Sequence, residues 1–151
     1  MLMKRAVTIV SGVYLLGGGA LTRSEDAAVY LIDFGGELVM IDSGAGRTAA
    51  LLEANIRNAG LDPRNISTLI LTHRHIDHIG AAPYFREHFG CKILMHELDA
   101  EAVEQGDPVQ TVANWYEADF PPTPVDIRIS GAEETLRFPG EELHLLSTPG
   151  H

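Results

Sequence analysis

The stretch 71-LTHRHIDHIG-80 places three histidines and one aspartate within six residues. The whole chain of 151 residues contains only seven histidines, so this concentration needs an explanation. The run that precedes the cluster, 66-ISTLILT-72, has the apolar and β-branched composition of a buried strand. The chain also ends on a histidine, in 147-STPGH-151. The position of these histidines at the ends of strands decides what chemistry they can support.

Composition and charge restrict the possible partners. With 45% hydrophobic and 21% charged residues, the chain has the composition of one globular domain. Eleven Lys and Arg against 21 Asp and Glu give a formal charge of −10, which disfavours nucleic acid and anionic membranes as partners. No apolar run reaches the roughly 18 residues that a membrane span needs. The lone Cys91 is expected to be a buried apolar residue, and we expect a cytoplasmic protein.

Strand and helix patterns alternate along the chain. Lys4 and Arg5 before an apolar run are reminiscent of a signal peptide, but the β-branched residues of that run favour a first strand. Pro83 suits the first turn of a helix that begins near Ala82, which leaves 73–80 as a loop. Strands are predicted over 6–16, 27–34, 37–42, 66–72, 91–96, 125–130, 133–138 and 142–147, and helices over 48–60, 82–89 and 98–105. This order predicts a mixed α/β or α+β domain.

The spacing of the histidine cluster suits two adjacent metal ions. Residues two apart lie on one side of an extended chain but about 200° apart on a helix. His73 and His75 therefore converge in extended backbone, while Asp77 and His78 face a neighbouring point as the chain turns. Imidazole and carboxylate groups bind zinc first, and iron or manganese next. A capping role for Asp77 beside solvated histidines is the alternative, and it accounts for less of the pattern.

The segment 72-THRHIDHIG-80 resembles the T-H-x-H-x-D-H-x-G signature of the metallo-β-lactamase-fold hydrolases. Two further segments resemble the same family. The segment 41-IDSGAG-46 is similar to its strand-end I-D-[ST]-G, and 148-TPGH-151 is similar to its T-P-G-H. The resemblance implies an αββα four-layer sandwich, of which this chain would supply only the N-terminal portion.

The resemblance also assigns roles by position. It implies Asp77 as the catalytic residue, which would orient a metal-bound hydroxide, and Asp42 as a residue that supports the ligands through hydrogen bonds. Two zinc ions per complete domain are expected, with iron or manganese as alternatives. The implied ligands are His73, His75 and His151 for the first ion, and Asp77 and His78 for the second.

In the family, a bridging aspartate and a last histidine follow the T-P-G-H segment, and residues 1–151 offer no counterpart. We therefore expect the domain 1–151 to be incomplete at its C-terminus. We expect an exposed sheet face, which favours self-association or needs a missing C-terminal half. The isolated chain is then expected to have weak or absent activity.

The resemblance implies a metal-dependent hydrolase of a small ester, thioester or lactone, as in hydroxyacylglutathione hydrolases and lactonases. Three alternatives stay open: a phosphodiesterase or RNA-processing nuclease, a mononuclear-iron persulfide dioxygenase-like enzyme, and an inactive metal-binding fragment. Substrate-binding residues are not indicated, although 114-NWYEADF-120 is a candidate for the substrate mouth. The histidines at 88, 96 and 144 are expected to lie outside the site.

Overall fold

The computed structural model describes residues 6–151, so Lys4 and Arg5 of the signal-like segment lie outside the described residues. The strands are β1 Val7–Val10, β2 Val13–Gly17, β3 Val29–Phe34, β4 Glu37–Ile41, β5 Ile66–Ile70, β6 Lys92–His96, β7 Ile127–Ile129, β8 Glu133–Phe138 and β9 Glu141–Leu146. The helices are α1 Ala49–Asn58, α2 Ile76–Ile79, α3 Ala82–Phe89 and α4 Glu97–Gln105, with 3₁₀ turns at Pro63–Asn65 and Ala113–Tyr116. Within these residues, no helix has the length and apolar character to cross a membrane.

Strands β1 to β7 form one sheet in sequence order. Strands β1 to β4 pair antiparallel, and β4 to β7 pair parallel. Gly35 and Gly36, with φ of 72° and 109°, form the predicted hairpin turn between β3 and β4. Parallel neighbours need long crossover connections, and these contain α1, then α2 and α3, then α4.

The helices cover one face of this sheet. Leu52 and Ile56 of α1, Phe85 of α3 and Val103 of α4 are fully buried and belong to the main core. The predicted apolar face of the first helix is therefore confirmed at Leu52 and Ile56. Helices pack on the sheet here because each has an apolar stripe that must leave water.

The hairpin of β8 and β9 covers part of the opposite face. Val39, Ile70 and Leu94 of the sheet are buried beneath it. Phe34 stacks on Phe138 of the hairpin, with ring centroids 3.9 Å apart. Helices, a seven-stranded sheet and a two-stranded sheet thus follow one another in layers. This is the layer order expected for the N-terminal portion of an αββα sandwich.

Two of the sequence predictions are wrong in detail. The predicted strand 6–16 is two strands, because Gly12 adopts a φ of 79° and β2 turns back to pair antiparallel with β1. The predicted loop 73–80 contains the one-turn helix α2, because Ile76 and Ile79, one turn apart, are both buried in the core. Helix α3 begins at Ala82 as predicted.

Cys91 lies in the main core, with 3% of its surface exposed. Burial raises the pKa of its thiol to about 11, so the thiolate is disfavoured at neutral pH. The prediction of an inert, apolar Cys91 is confirmed.

The parallel part of the sheet determines where the functional loops meet. The register pairs Ile41 of β4 with Ile70 of β5, and the backbone N–H of Asp42 donates to the carbonyl of Ile70 at 2.8 Å. The segments that follow these two strands therefore start side by side, at the carboxyl edge of the sheet. In open α/β sheets this is the edge where ligands bind.

Phe85 tests the core between α3 and the sheet. We expect Phe85→Ala to lower the free energy of unfolding by about 3–5 kcal/mol, because the truncation leaves a cavity. Leu98→Ala on α4, where the leucine is 76% exposed, should change it by less than about 0.5 kcal/mol. Urea denaturation of both variants measures this, and equal effects would contradict the described core.

Candidate metal centre

Three histidines from two distant parts of the chain meet at the carboxyl edge of the sheet. One ring nitrogen from each of His73, His75 and His151 lies within 4.8 Å of the others. The Nε2 atom of His151 is 3.1 Å from the Nδ1 atom of His75. His73 follows β5, and His75 precedes α2 in extended backbone, with φ −70° and ψ 142°. The rings of His73 and His75 lie close together, with centroids 4.9 Å apart. The backbone at 72–74 is bent, however, so the two rings approach across a bend and not along the extended chain that the spacing predicted.

Asp42 is the buried carboxylate beneath this cluster, with 4% of its surface exposed. Its Oδ1 atom accepts the backbone N–H of Thr72 at 2.8 Å, and its Oδ2 atom accepts the Thr72 hydroxyl at 2.8 Å. The Nδ1 atom of His78 is 2.7 Å from the same Oδ2. The expected hydrogen-bonding role of Asp42 is therefore visible in its contacts with Thr72 and His78.

These hydrogen bonds fix which ring nitrogen of each histidine stays free. An ionised carboxylate can only accept, so the Nδ1 atom of His78 carries the proton that it shares with Asp42. The Thr72 hydroxyl gives its only proton to Asp42, so the Nδ1 atom of His73, 3.1 Å from that hydroxyl oxygen, must donate to it. When each ring is neutral, its Nε2 atom keeps the lone pair.

The free nitrogen of His73 fits a metal ion. Its Nε2 atom is buried and has no hydrogen-bond partner in the described part of the chain. Such an atom is costly, and buried polar atoms in native proteins nearly always have a partner. His75 and His151 bring two further nitrogens to the same point, and neutral imidazole is a preferred ligand of zinc. The donor set therefore suits the kind of ion that the sequence pattern predicts.

Asp77 and His78 lie beside the three-histidine cluster. The ring centroids of His73 and His78 are 4.0 Å apart. The Nε2 atom of His78 is 3.6 Å from Oδ2 of Asp77, so a nitrogen and a carboxylate oxygen face one another. Asp77 lies inside the first turn of α2, and His75 occupies the N-cap position. Asp77 is therefore the N-cap residue neither of α2 nor of α3, whose N-cap position is occupied by Ala81.

The electrostatic surroundings favour the neutral form of the His73 and His75 rings. Burial lowers the pKa of His73, and the neighbouring rings of His78 and His75 lower it further. Burial and the proximity of His151 lower the pKa of His75. Burial also acts to lower the pKa of His78, but the hydrogen bond and charge of Asp42, with the charge of Asp77, outweigh burial and raise it. Histidine binds a metal ion in its neutral form, so the lowered pKa values of His73 and His75 suit these two rings to metal binding.

The Asp42 loop, residues 42–48, is hydrogen-bonded to α2 and packs against it. The backbone N–H and the hydroxyl of Ser43 both donate to the carbonyl of His78, at 2.7 and 2.9 Å. The N–H of Gly80 donates to the carbonyl of Gly44 at 2.7 Å. A Cβ atom on Gly80 would lie 2.0 Å from the carbonyl carbon of Ala45, so only glycine fits there. The loop and the helix thus form one unit.

The remaining histidines lie outside the cluster, as expected. His88 is exposed on α3, and its Nδ1 atom is 2.9 Å from the carbonyl of Tyr84. His96 accepts the backbone N–H of Leu98 and so caps α4. His144 is exposed on β9.

The sequence analysis assigned no role to two residues that hold the cluster. Thr72 links His73 to Asp42, and its place directly before the first histidine was the only signal. Asp99 of α4 accepts the backbone N–H of Arg74 at 3.0 Å and pairs with its guanidinium at 3.3 Å. Asp99 thereby fixes the backbone between His73 and His75 through contacts made by α4.

The pKa directions give a test on the metal-free protein. His73 and His75 should titrate below the ordinary value of about 6.5, and His78 above it. The stability that His78 contributes is present at low pH and lost as pH rises through its folded pKa. His73 and His75 act in the opposite sense, and their contribution is lost as pH falls below about 6.5.

NMR titration of the ring protons measures these values. Asp42→Asn should lower the pKa of His78, because it removes the charge and the carboxylate acceptor. Asp62→Asn, in an exposed turn where Asp62 pairs with Arg64, should leave it unchanged. If His78 titrates together with His73 in the wild-type protein, the described role of Asp42 is wrong.

Comparisons with known proteins agree with this fold. The model of the metallo-beta-lactamase superfamily matches residues 25–151. A probable metallo-hydrolase of Methanocaldococcus jannaschii is 32% identical over 122 residues, which cover 81% of this chain and 56% of the relative. A hydroxyacylglutathione hydrolase of Stenotrophomonas maltophilia is 30% identical over 135 residues, 87% of this chain and 41% of the relative. A ribonuclease Z of Pyrobaculum aerophilum is 35% identical over 77 residues, 50% of this chain and 25% of the relative.

Among solved structures, the metallo-beta-lactamase GOB-18 of Elizabethkingia meningoseptica superposes with a TM-score of 0.83 at 25% identity, over 97% of this chain and 52% of that chain. This chain therefore spans between 25% and 56% of the length of these relatives. The matched residues 25–151 contain Asp42, the cluster at 73–78 and His151. The chain belongs to the metallo-beta-lactamase superfamily.

Proposed function

We propose that this chain carries the metal centre of a zinc-dependent hydrolase that cleaves a small ester, thioester or lactone. The observation that carries the proposal is the buried, unpaired Nε2 atom of His73 among the nitrogens of His75 and His151. Superfamily membership supports a metallo-hydrolase in general. The identity and number of the ions and the substrate class are the proposal.

The ligands divide into two positions. His73, His75 and His151 would hold one zinc ion, and Asp77 with His78 would hold a second beside it. Zinc supplies Lewis-acid polarisation of a carbonyl oxygen and makes water acidic, with a pKa near 7. Asp77 and His78 are only two ligands, whereas zinc sites in proteins usually have at least three. We therefore expect the second position to bind more weakly than the first.

Asp77 is the residue proposed to handle protons. Its side chain is 27% exposed and lies in the first turn of α2, so water and substrate can reach it. There it can accept a hydrogen bond from the attacking water, take its proton and pass that proton to the leaving thiol or alcohol. The buried Ile76 and Ile79 hold α2 in place, so this carboxylate is presented in a fixed orientation.

Charge supports a small substrate over RNA. The chain has a formal charge of −10, and a phosphate backbone is bound mainly by free Lys and Arg side chains. Two arginines lie near the site residues in sequence, and each is paired with a carboxylate: Arg47 with Glu25, and Arg74 with Asp99. The similarity to a hydroxyacylglutathione hydrolase also supports a thioester. A ribonuclease Z is also among the similar proteins, so cleavage of RNA by this protein would contradict the proposed substrate class.

Metal content and substrate range test the proposal together. The 151-residue chain, and any longer chain that contains it, would be reconstituted with zinc and analysed by elemental analysis. Thioester, ester, lactone and precursor-RNA substrates would then be compared at fixed zinc. Zinc uptake is expected, with thioester, ester or lactone cleavage by the longer chain and weaker or absent cleavage by the 151-residue chain. A single iron points to a dioxygenase, RNA cleavage points to a nuclease, and no metal after reconstitution contradicts the proposal.

Asp77→Asn tests the proposed proton transfer. We expect kcat to fall by about 10²- to 10⁴-fold, because the amide cannot take a proton and is a poorer ligand for the proposed second ion. Zinc at the three-histidine position should stay bound, since Asp77 does not contribute to it. Asp62→Asn in the exposed Asp62–Arg64 turn is the control and should keep full activity. An unchanged kcat in Asp77→Asn rules out this role.

The segment 114–120, which contains Trp115, is proposed to line the substrate mouth. Trp115 is 82% exposed on the 3₁₀ turn Ala113–Tyr116. The residues on both sides of that turn, Val112 and Glu117, adopt φ of 53° and 50°, which is rare for side chains other than glycine. The segment is tied to the site, because the N–H of Ile76 donates to the carbonyl of Thr111 at 2.8 Å.

Arg47 belongs to the Asp42 loop. Its guanidinium donates to the backbone carbonyl of Tyr116, at the C-terminal end of the 3₁₀ turn, at 3.2 Å. These two hydrogen bonds fix the backbone on both sides of Trp115. An exposed indole on a fixed backbone is suited to contact the apolar part of a substrate. Local backbone strain of this kind is found most often at functional sites.

Trp115→Ala is expected to raise KM for long-chain acyl substrates by about tenfold, which corresponds to a loss of about 1.4 kcal/mol of apolar contact. The value of kcat should change little, because the indole does not reach the reacting atoms in this proposal. Leu98→Ala, which truncates an exposed apolar residue on α4, is the control. Since Trp115 is the only tryptophan, quenching of its fluorescence by a substrate analogue reports binding directly. Unchanged kinetics and unquenched fluorescence count against the assignment.

A further inference from the structure

Asp26 is a buried carboxylate outside the proposed ligand set, with 6% of its surface exposed. Its Oδ1 atom accepts the backbone N–H of Ala45 at 2.8 Å, and its Oδ2 atom accepts the hydroxyl of Thr48 at 2.7 Å. A Cβ atom on Gly44 would lie 2.7 Å from the same Oδ1, so the carboxylate packs directly against the backbone. Both oxygens of Asp26 thus bind the Asp42 loop.

The residue after Asp26 binds the other side of the site. The N–H of Ala27 donates to the carbonyl of Asp77 at 3.2 Å, and Asp77 belongs to α2. The Asp42 loop and α2 are already joined through Ser43 and Gly80. Residues 26–27 are therefore hydrogen-bonded to both the Asp42 loop and α2.

The Asp42 loop needs such support because its first residue is in an unfavourable conformation. Asp42 has a φ of 60°, in the left-handed region that residues other than glycine seldom adopt. A residue in that region stays there only when the surrounding structure holds it. Asp26 provides two buried hydrogen bonds to this loop, three and six residues after Asp42.

We infer that Asp26 is a positioning residue, whose carboxylate fixes the Asp42 loop and thereby the Asp42 carboxylate that orients His73 and His78. The inference rests on the proposed two-position zinc site and adds a residue to it. Asp26 acts through the backbone of the loop, so its removal should disturb the histidines without removing a ligand.

Four variants test this inference. Asp26→Ala removes both hydrogen bonds, and Thr48→Val removes only the hydroxyl partner with little change of shape. Asp26→Asn should rescue function, because an amide still accepts the Ala45 N–H and can donate to Thr48. Asp126→Ala is the matched control. Asp126 also accepts a backbone N–H, that of Ile93 at 2.9 Å, but near the amino end of β6, at the opposite edge of the sheet.

The first measurement is made without metal. In ¹⁵N-labelled protein, the hydrogen-bonded Nδ1 proton of His78 should give a ring resonance in the wild type, Asp26→Asn and Asp126→Ala. In Asp26→Ala it should be lost or broadened, because Asp42 no longer holds one position. The second measurement is zinc affinity by competition with a chelator. Asp26→Ala should weaken zinc binding by about 10- to 100-fold, and Thr48→Val by less.

The inference is overturned if Asp26→Ala keeps the His78 ring proton and wild-type zinc affinity, while losing stability as Asp126→Ala does. If Asp26→Ala does not fold, Thr48→Val decides in its place, and an unchanged ring proton there overturns the inference. Failure of the proposed function is a separate result. A wild-type protein that takes up no zinc contradicts that function, whereas the ring-proton comparison still decides the role of Asp26.

Discussion

One buried carboxylate, that of Asp42, is the interaction on which the site depends. It accepts hydrogen bonds from the backbone and hydroxyl of Thr72 and from the ring of His78. Through Thr72 it also determines the tautomer of His73. Histidine rings can rotate and exchange tautomers, so a metal site needs something that selects one arrangement. Here a single acceptor selects it for two rings at once.

The sheet makes this possible by bringing the two segments together. Parallel pairing of β4 with β5 starts Asp42 and the histidine cluster at the same edge, and α2 then packs against the Asp42 loop. That packing leaves no room for a side chain at Gly80. The core, the glycine and the geometry of the histidine cluster are therefore parts of one requirement, and a change at any of them reaches the others.

The sequence predicted the parts of this structure that are encoded locally. Alternation of apolar residues indicated most strands, Pro83 indicated the start of α3, and the H-x-H-x-D-H spacing indicated the cluster. Helix α2 was missed because burial of Ile76 and Ile79, and not local propensity, makes that turn helical. Contacts of Thr72 and Asp26 were also missed. They depend on strand register and loop conformation, which a single sequence does not specify.

The shared acceptor at Asp42 has a consequence for how the two proposed ion positions relate. His73 belongs to one proposed position and His78 to the other. His78 contacts Oδ2 of Asp42 directly, and His73 is connected to the same oxygen through the hydroxyl of Thr72. An ion that binds the ring at one position would therefore act on that oxygen, and through it on the ring at the other position. By thermodynamic linkage the effect is reciprocal, so each ion changes the affinity for the other by the same factor. Under the proposed assignment, the two positions are therefore linked through one carboxylate, and the occupancy of each bears on the affinity of the other.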